Sequence, residues 1–176
     1  MLLERLRPAI YSSNFPKLSS YQYLYSFRQQ RFPKYSSMSS VNRTNGSPAR
    51  KLILVVSISR HLHGVPIEKG IESEWAKEKA RDIKDSFENV GFNLDPKDVP
   101  TALRDLKHEL EGRPWDGIII GWCIRGNNDF TILFEKVVGA CCEVIKSAPE
   151  TKLMFSSGPQ NIVETVARNF AVDGTA

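Results

Sequence analysis

Trp115-Asp116-Gly117-Ile118-Ile119-Ile120-Gly121-Trp122-Cys123-Ile124-Arg125-Gly126-Asn127-Asn128-Asp129 is the stretch on which the fold turns. A turn signal, Arg113 to Gly117, leads straight into three isoleucines. A strand with one wet face alternates polar and apolar residues. An unbroken β-branched run between turn residues reads instead as a strand buried on both faces, the habit of a central parallel strand. After Gly121 the chemistry changes. Arg125, Asn127, Asn128 and Asp129 crowd a Gly-containing loop before a helical pattern. Open α/β sheets bind ligands at the carboxyl ends of their strands, so this loop marks the expected site.

Outward from that stretch the pattern repeats. Leu52 to Val56 is a second all-apolar run, continuing through Ser57, Ile58 and Ser59 into a loop, Arg60 to Pro66. Ile71 to Val90 carries Ile71, Trp75, Ala76, Ala80, Ile83, Phe87 and Val90 near helical spacing, which predicts one helix stopped by Gly91. Phe92 to Asp95 alternates and reads as an edge strand. Pro100 and Thr101 open a helix with Leu103, Leu106 and Leu110, ended by Gly112 and Pro114. Phe130 to Ser147 has the clearest helical repeat, capped by Asn128 or Asp129 and ended by Pro149. Lys152 to Phe155 reads as a strand and Asn161 to Phe170 as a last helix.

Strand and helix thus alternate four times along the chain. Two of the strands are wholly apolar. This predicts an α/β domain with a four-stranded parallel sheet and helices on both faces. Right-handed crossovers and an edge-like second strand favour spatial order 2-1-3-4. That is a flavodoxin-like, Rossmann-like three-layer arrangement, with its switch point between the first and third strands. The loops Ser57–Gly64 and Cys123–Asp129 are therefore expected to face each other.

Charge divides the chain in two. Residues 1–50 hold eight Lys/Arg and one acid, a net +7, while residues 51–176 hold 16 basic and 19 acidic residues, a net −3. The overall +4 belongs to the leader. A mildly acidic domain argues against nucleic-acid binding, which needs a basic face to neutralise phosphates. All five tyrosines and ten of the serines lie in residues 1–50, which read as a disordered basic leader and linker. Arg-rich, Ser-rich and acid-poor is transit-peptide composition and predicts a mitochondrial address. The other reading is a cytoplasmic protein with an extension upstream of Met38. The folded α/β domain is expected over residues 51–172. No apolar run approaches the roughly 20 residues needed to span a bilayer, so no membrane partner is expected.

Gly112 to Gly121, Arg125-Gly126-Asn127, Phe134 to Val138 and Lys152 to Phe155 resemble a family of small fungal and bacterial α/β proteins. The likeness runs over about Lys51 to Phe170. It implies a single folded unit and draws attention to Arg125 and Asn127. It implies no reaction.

Three constellations carry possible chemistry. Arg125 offers a planar donor fork beside a helix start, suited to carboxylate or phosphate, with Asn127 and Asn128 adjacent and Gly126 admitting a ligand close to the backbone. The alternative is a capped helix whose Arg125 pairs with an acid such as Asp129. Ser156, Ser157 and Gly158 end the fourth strand and would complete an anion pocket with Arg60, or else merely cap the next helix. Cys123 near His61 would make an activated thiolate, the centre of a Cys–His hydrolase or transferase; the alternative is plain core packing. His61 and His63 form too thin a ligand set for a metal, and Cys123, Cys141 and Cys142 have no zinc spacing. No Gly-x-Gly-x-x-Gly and no phosphate-loop motif is present, so nothing points to a particular cofactor. The expected function is binding of a small anionic metabolite at the strand ends. The alternative class is a non-catalytic scaffold that forms a homodimer, since a four-stranded sheet has two edges to cover.

Overall fold

Ile118, Ile119 and Ile120 have no solvent exposure and form a strand, β3 (Gly117–Ile120). Its neighbour is β1 (Lys51–Ser57), whose residues Ile53 to Val56 are equally buried. The two run parallel, with Ile53 opposite Gly117 and Val56 opposite Ile120. β2 (Phe87–Asn93) pairs with the other side of β1, and β4 (Lys152–Phe155) with the far side of β3, both parallel. The order is β2-β1-β3-β4, as the apolar runs predict. The computed structural model describes residues 49–170. The expected leader over residues 1–50 lies, apart from Ala49 and Arg50, outside the described residues.

Helices cover both faces. Alternate β-residues point to opposite faces, so each strand feeds two cores. Ile53, Val55 and Ile119 pack with α2 (Ile67–Trp75) and α6 (Ile162–Asn169). Leu54, Val56, Ile118 and Ile120 pack with α3 (Val99–Gly112) and α5 (Thr131–Ser147). The handedness of parallel crossovers explains the split. The step from β1 to β2 runs one way along the sheet, and the steps to β3 and β4 run the other. α3 begins as its sequence demands: Asp98 accepts a hydrogen bond from the Thr101 N–H at 3.2 Å, and Pro100 sits in the first turn. The result is a three-layer, flavodoxin-like α/β fold.

The helix expected over Ile71–Val90 is not formed. α2 stops at Trp75, short 3-10 turns follow at Glu78–Ala80 and Lys84–Ser86, and Phe87 begins β2. Ala80, Ile83 and Phe87 are buried in the α2–α6 core all the same. Their near-helical spacing reflects burial along an irregular path. Strand pairing won because β1 offers seven consecutive partners, Phe87 to Asn93. Gly91 is therefore no helix stop. It lies inside β2, where a Cβ would stand 2.7 Å from the Ile67 side chain and 3.0 Å from that of Glu68. Its missing side chain lets α2 lie against the edge of the sheet.

An ion-pair brace holds the irregular stretch. Glu74 is 4% exposed and meets the ammonium groups of both Lys77 and Lys79. Lys79 also reaches Glu164 of α6 at 2.7 Å. Burial alone would raise the Glu74 carboxyl, but hydrogen bonds and charge from Lys77 and Lys79 outweigh it and hold it below the ordinary value. Among the described residues no helix is long and apolar enough to cross a membrane.

Candidate functional site

The loops after β1 and β3 are short helical turns, α1 (Ser59–His63) and α4 (Trp122–Arg125). They meet where the strand order reverses. There Cys123 Sγ lies 3.3 Å from the buried Ser57 Oγ and accepts from the Ile58 N–H at 3.4 Å. Ser57 Oγ in turn accepts from the Ser59 N–H at 3.0 Å. The expected facing of the two loops is thus present. The expected Cys123–His61 contact is not: His61 Nδ1 sits 3.4 Å from Asp95 Oδ1 instead. The turn of α1 carries the imidazole toward the end of β2, where Leu94 N–H bonds the Ser57 carbonyl at 2.8 Å and sets Asp95 alongside. Cys141 is core, and burial pushes its thiol up to about 12.

Arg125 ends α4 as an exposed cation with aromatic support. Its guanidinium carbon is 4.8 Å from the centre of a Trp122 ring and 5.9 Å from that of Phe155. Nη2 reaches the Ser156 carbonyl at 3.4 Å. Among the described residues it forms no ion pair, with Asp129 or any other acid. The stack depends on Gly126. A Cβ there would fall 2.2 Å from the Trp122 ring, so the space expected to admit a ligand near the backbone is filled by indole. Ser156 is buried and its N–H bonds Ile120, while Ser157 is exposed and its N–H bonds Asn161 Oδ1 at 3.3 Å. Arg125, Ser156, Ser157 and Gly158 therefore gather at the carboxyl ends of β3 and β4.

Asn127 and Asn128 do different work. Asn127 Oδ1 accepts from the Asp129 N–H at 3.0 Å, and the Asn128 carbonyl accepts from Thr131 Oγ1 at 2.8 Å. They build the turn into α5, whose own N-cap is Phe130 without a side-chain bond. Neither Asn128 nor Asp129 caps that helix as expected. Arg60 is exposed on α1, with its carbonyl closing the turn to Gly64.

Two further contributors lay outside the expected set. Arg168 of α6 donates to the Phe155 carbonyl at 2.7 Å and to Asn161 Oδ1 at 3.5 Å. Trp122 reads in sequence as core beside Cys123 and Ile124, yet is 48% exposed. The one signal for its place was Gly126 four residues on, one helical turn away.

A cleft of about 150 Å³ opens elsewhere, between the end of β2 and the start of α3. Asn93, Asp95, Asp98, Thr101 and Asp105 line it. Three carboxylates make it a poor anion site, and two of them are occupied by the Lys97 and Thr101 N–H groups. Among the described residues no group of His, Cys, Asp and Glu is arranged to hold a metal. Of the expected anion residues, Arg125, Ser156, Ser157 and Gly158 form a rim, not this cavity. Compared with known proteins, the chain matches no family model, no curated protein and no solved structure.

Proposed function

We propose that this protein binds a small anionic molecule at the carboxyl rim of β3 and β4, with Arg125 as the principal contact. The observation that carries the reading is an arginine fixed by Trp122 and Phe155 yet lacking any carboxylate partner among the described residues. A guanidinium held by rings keeps most of its five N–H donors free, in a fork that matches carboxylate or phosphate. Its place at a strand end beside the switch point is where parallel α/β sheets bind ligands. Hydrogen bonds to charged groups contribute roughly 1.5–3 kcal/mol. Arg125→Ala is therefore expected to weaken binding roughly ten- to hundredfold. A thermal-shift panel of phosphorylated and carboxylated metabolites tests this. Hits should stabilise the wild type and lose that effect in Arg125→Ala. An Arg125→Ala variant that responds to every hit as the wild type does refutes the reading.

Self-association through β4 is the second reading. It is favoured by one observation: β4 has no strand on its outer side among the described residues, and Leu153 and Phe155 there are only half-buried. An open edge invites pairing. Light scattering at micromolar concentration decides it; a clean monomer rejects it. The contacts of Cys123 and His61 do not favour a Cys–His hydrolase or transferase.

A further inference from the structure

Resting on the second reading, self-association, we propose that two copies of this chain join through β2 rather than β4, antiparallel about a two-fold axis at Val90, so that their sheets run on into one. The two edges of the sheet are not alike. β4 is short and opens with Lys152. Its even-numbered residues face β3, since the Lys152 and Ser156 N–H groups bond the Asp116 and Ile120 carbonyls. Leu153 and Phe155 therefore turn their peptide groups outward, and Arg168 Nη2 already holds the Phe155 carbonyl at 2.7 Å. A short edge with a lysine, one of whose carbonyls is taken by a side chain, is a guarded edge.

β2 has no such guard. Phe87-Glu88-Asn89-Val90-Gly91-Phe92-Asn93 pairs with β1 along its whole length without a bulge and contains no Lys, Arg or Pro. The Leu94 N–H bonds the Ser57 carbonyl, so even-numbered residues here face β1 and odd-numbered ones face outward. The Phe87 N–H is taken by the Lys84 carbonyl. Among the described residues the outward N–H and C=O groups of Asn89 and Gly91 have no hydrogen-bond partner. An antiparallel second copy must set outward residues against outward residues. Centring on Val90 does so with the whole strand overlapped. Asn89 then exchanges both hydrogen bonds with Gly91 of the second copy, and Gly91 with Asn89. Asn89 faces a residue with no side chain to crowd it. Val90 meets Val90 on the axis, at the closer spacing of a non-bonded pair. Val90 and Phe92 are half-buried against the α3–α5 core, so the join extends an existing apolar layer. Glu88, the one charge in the strand, lies opposite Phe92 of the second copy. A parallel copy in register would set Glu88 beside Glu88, and like charges directly opposite are destabilising.

The test is sedimentation equilibrium of the full chain at micromolar concentrations. The wild type is expected to dimerise. Val90→Lys and Val90→Glu put like charges face to face on the axis and should each weaken the dimer at least about tenfold. An equimolar mixture of the two should recover association to within about threefold of wild type, because unlike charges then oppose. Misfolding has no such rescue. Asn89→Pro removes an outward N–H and keeps the bonds to β1, as edge strands tolerate, and should also cost at least about tenfold. Far-UV circular dichroism and urea unfolding check that each variant folds; if a Val90 variant does not, Asn89→Pro decides. Leu153→Lys, on β4, should leave the dimer unchanged. A wild type that stays monomeric overturns the β2 join and self-association together. If Leu153→Lys breaks the dimer and the β2 variants do not, self-association through β4 stands and the β2 join falls. If the mixed Val90 variants fail to associate, the axis at Val90 falls. If no variant changes the dimer, neither edge carries it and both readings fall.

Discussion

The two ends of the sheet are built to opposite rules. At the amino end several polar groups are tied across the strands. Asp116 accepts from the Leu52 N–H at 2.8 Å and returns its own N–H to the Leu52 carbonyl at 2.9 Å. Thr151 Oγ1 bonds the Trp115 carbonyl, and the buried Trp115 indole bonds Glu109. Phe170 closes the bottom, with the ammonium groups of Lys51 and Lys152 5.4 and 4.7 Å from its ring centre. At the carboxyl end the chain leaves large apolar side chains in water. Leu62, Val65, Trp122 and Ile132, at 40–67% exposure, all lie beyond strand carboxyl ends. Among the described residues, Arg125 and Arg168 have no acid partners there. The difference teaches where stability is spent and where it is withheld. The sealed end and the middle hold the fold, which leaves the other rim free to carry side chains that folding alone does not require.

The contrast predicts a gradient of mutational effects. The largest belongs to the middle. Ile119→Ala, at a site with no exposure, should lose about 2–5 kcal/mol in urea unfolding. At the sealed end, Gly117→Ala would put a methyl 2.5 Å from Met154 Cε, 3.1 Å from Ile53 and 3.2 Å from Phe170. Overpacking there should cost about 1–3 kcal/mol and leave the anion response untouched. A changed response would mean that the two ends are coupled.

The brace between α2 and α6 comes next. Glu74→Gln should cost about 1–2 kcal/mol at neutral pH, less than a fully buried pair because both lysines are partly solvated. Glu74 is held below its ordinary 4.5, so its contribution is present above that value and fades as pH falls through the lowered folded pKa. Acid titration of wild type and Glu74→Gln should therefore show their stabilities converging as the pH drops. A gap that widens in acid would reverse the sign argued for Glu74.

At the open rim the order of effects inverts. Gly126→Ala should cost under about 1 kcal/mol of stability, because the indole it displaces is half in solvent. The same change should abolish most of the anion response by unseating Arg125. A Gly126→Ala protein that binds normally would break the link between the stack and the site. Smallest of all, deleting residues 1–48 should shift unfolding by less than about 0.5 kcal/mol, since their charge and composition set them apart from the domain.

The fold was legible because Ile118 to Ile120 and Leu52 to Val56 can only be buried from both faces, and that forces a central parallel pair. The failure at Ile71–Val90 has a physical cause. Ala80, Ile83 and Phe87 bury on one side of a non-helical path, and periodicity cannot separate burial from helix. The site was half legible. Arg125 stands out because a cation at the end of an apolar strand has no packing reason to be there. Arg168 lies 43 residues later on an ordinary amphipathic helix, and only the return of α6 along β4 brings it close. The Cys123–His61 contact failed for want of a direction. Spacing placed the two loops together but not the way α1 turns, which hands His61 to Asp95.

β1 occupies the centre of the sheet but is made first. Leu54 pairs with Val90 on one side and Ile118 on the other, partners 36 and 64 residues further along the chain. A ribosome adding roughly 5–20 residues each second needs about 3–13 seconds to deliver the second partner. For that interval Leu52-Ile53-Leu54-Val55-Val56, an uncharged, strand-prone apolar run, emerges without its β3 partner. Newborn chains of this protein should thus present an early chaperone epitope at Leu52 to Val56, and it should vanish once Ile120 has cleared the exit tunnel.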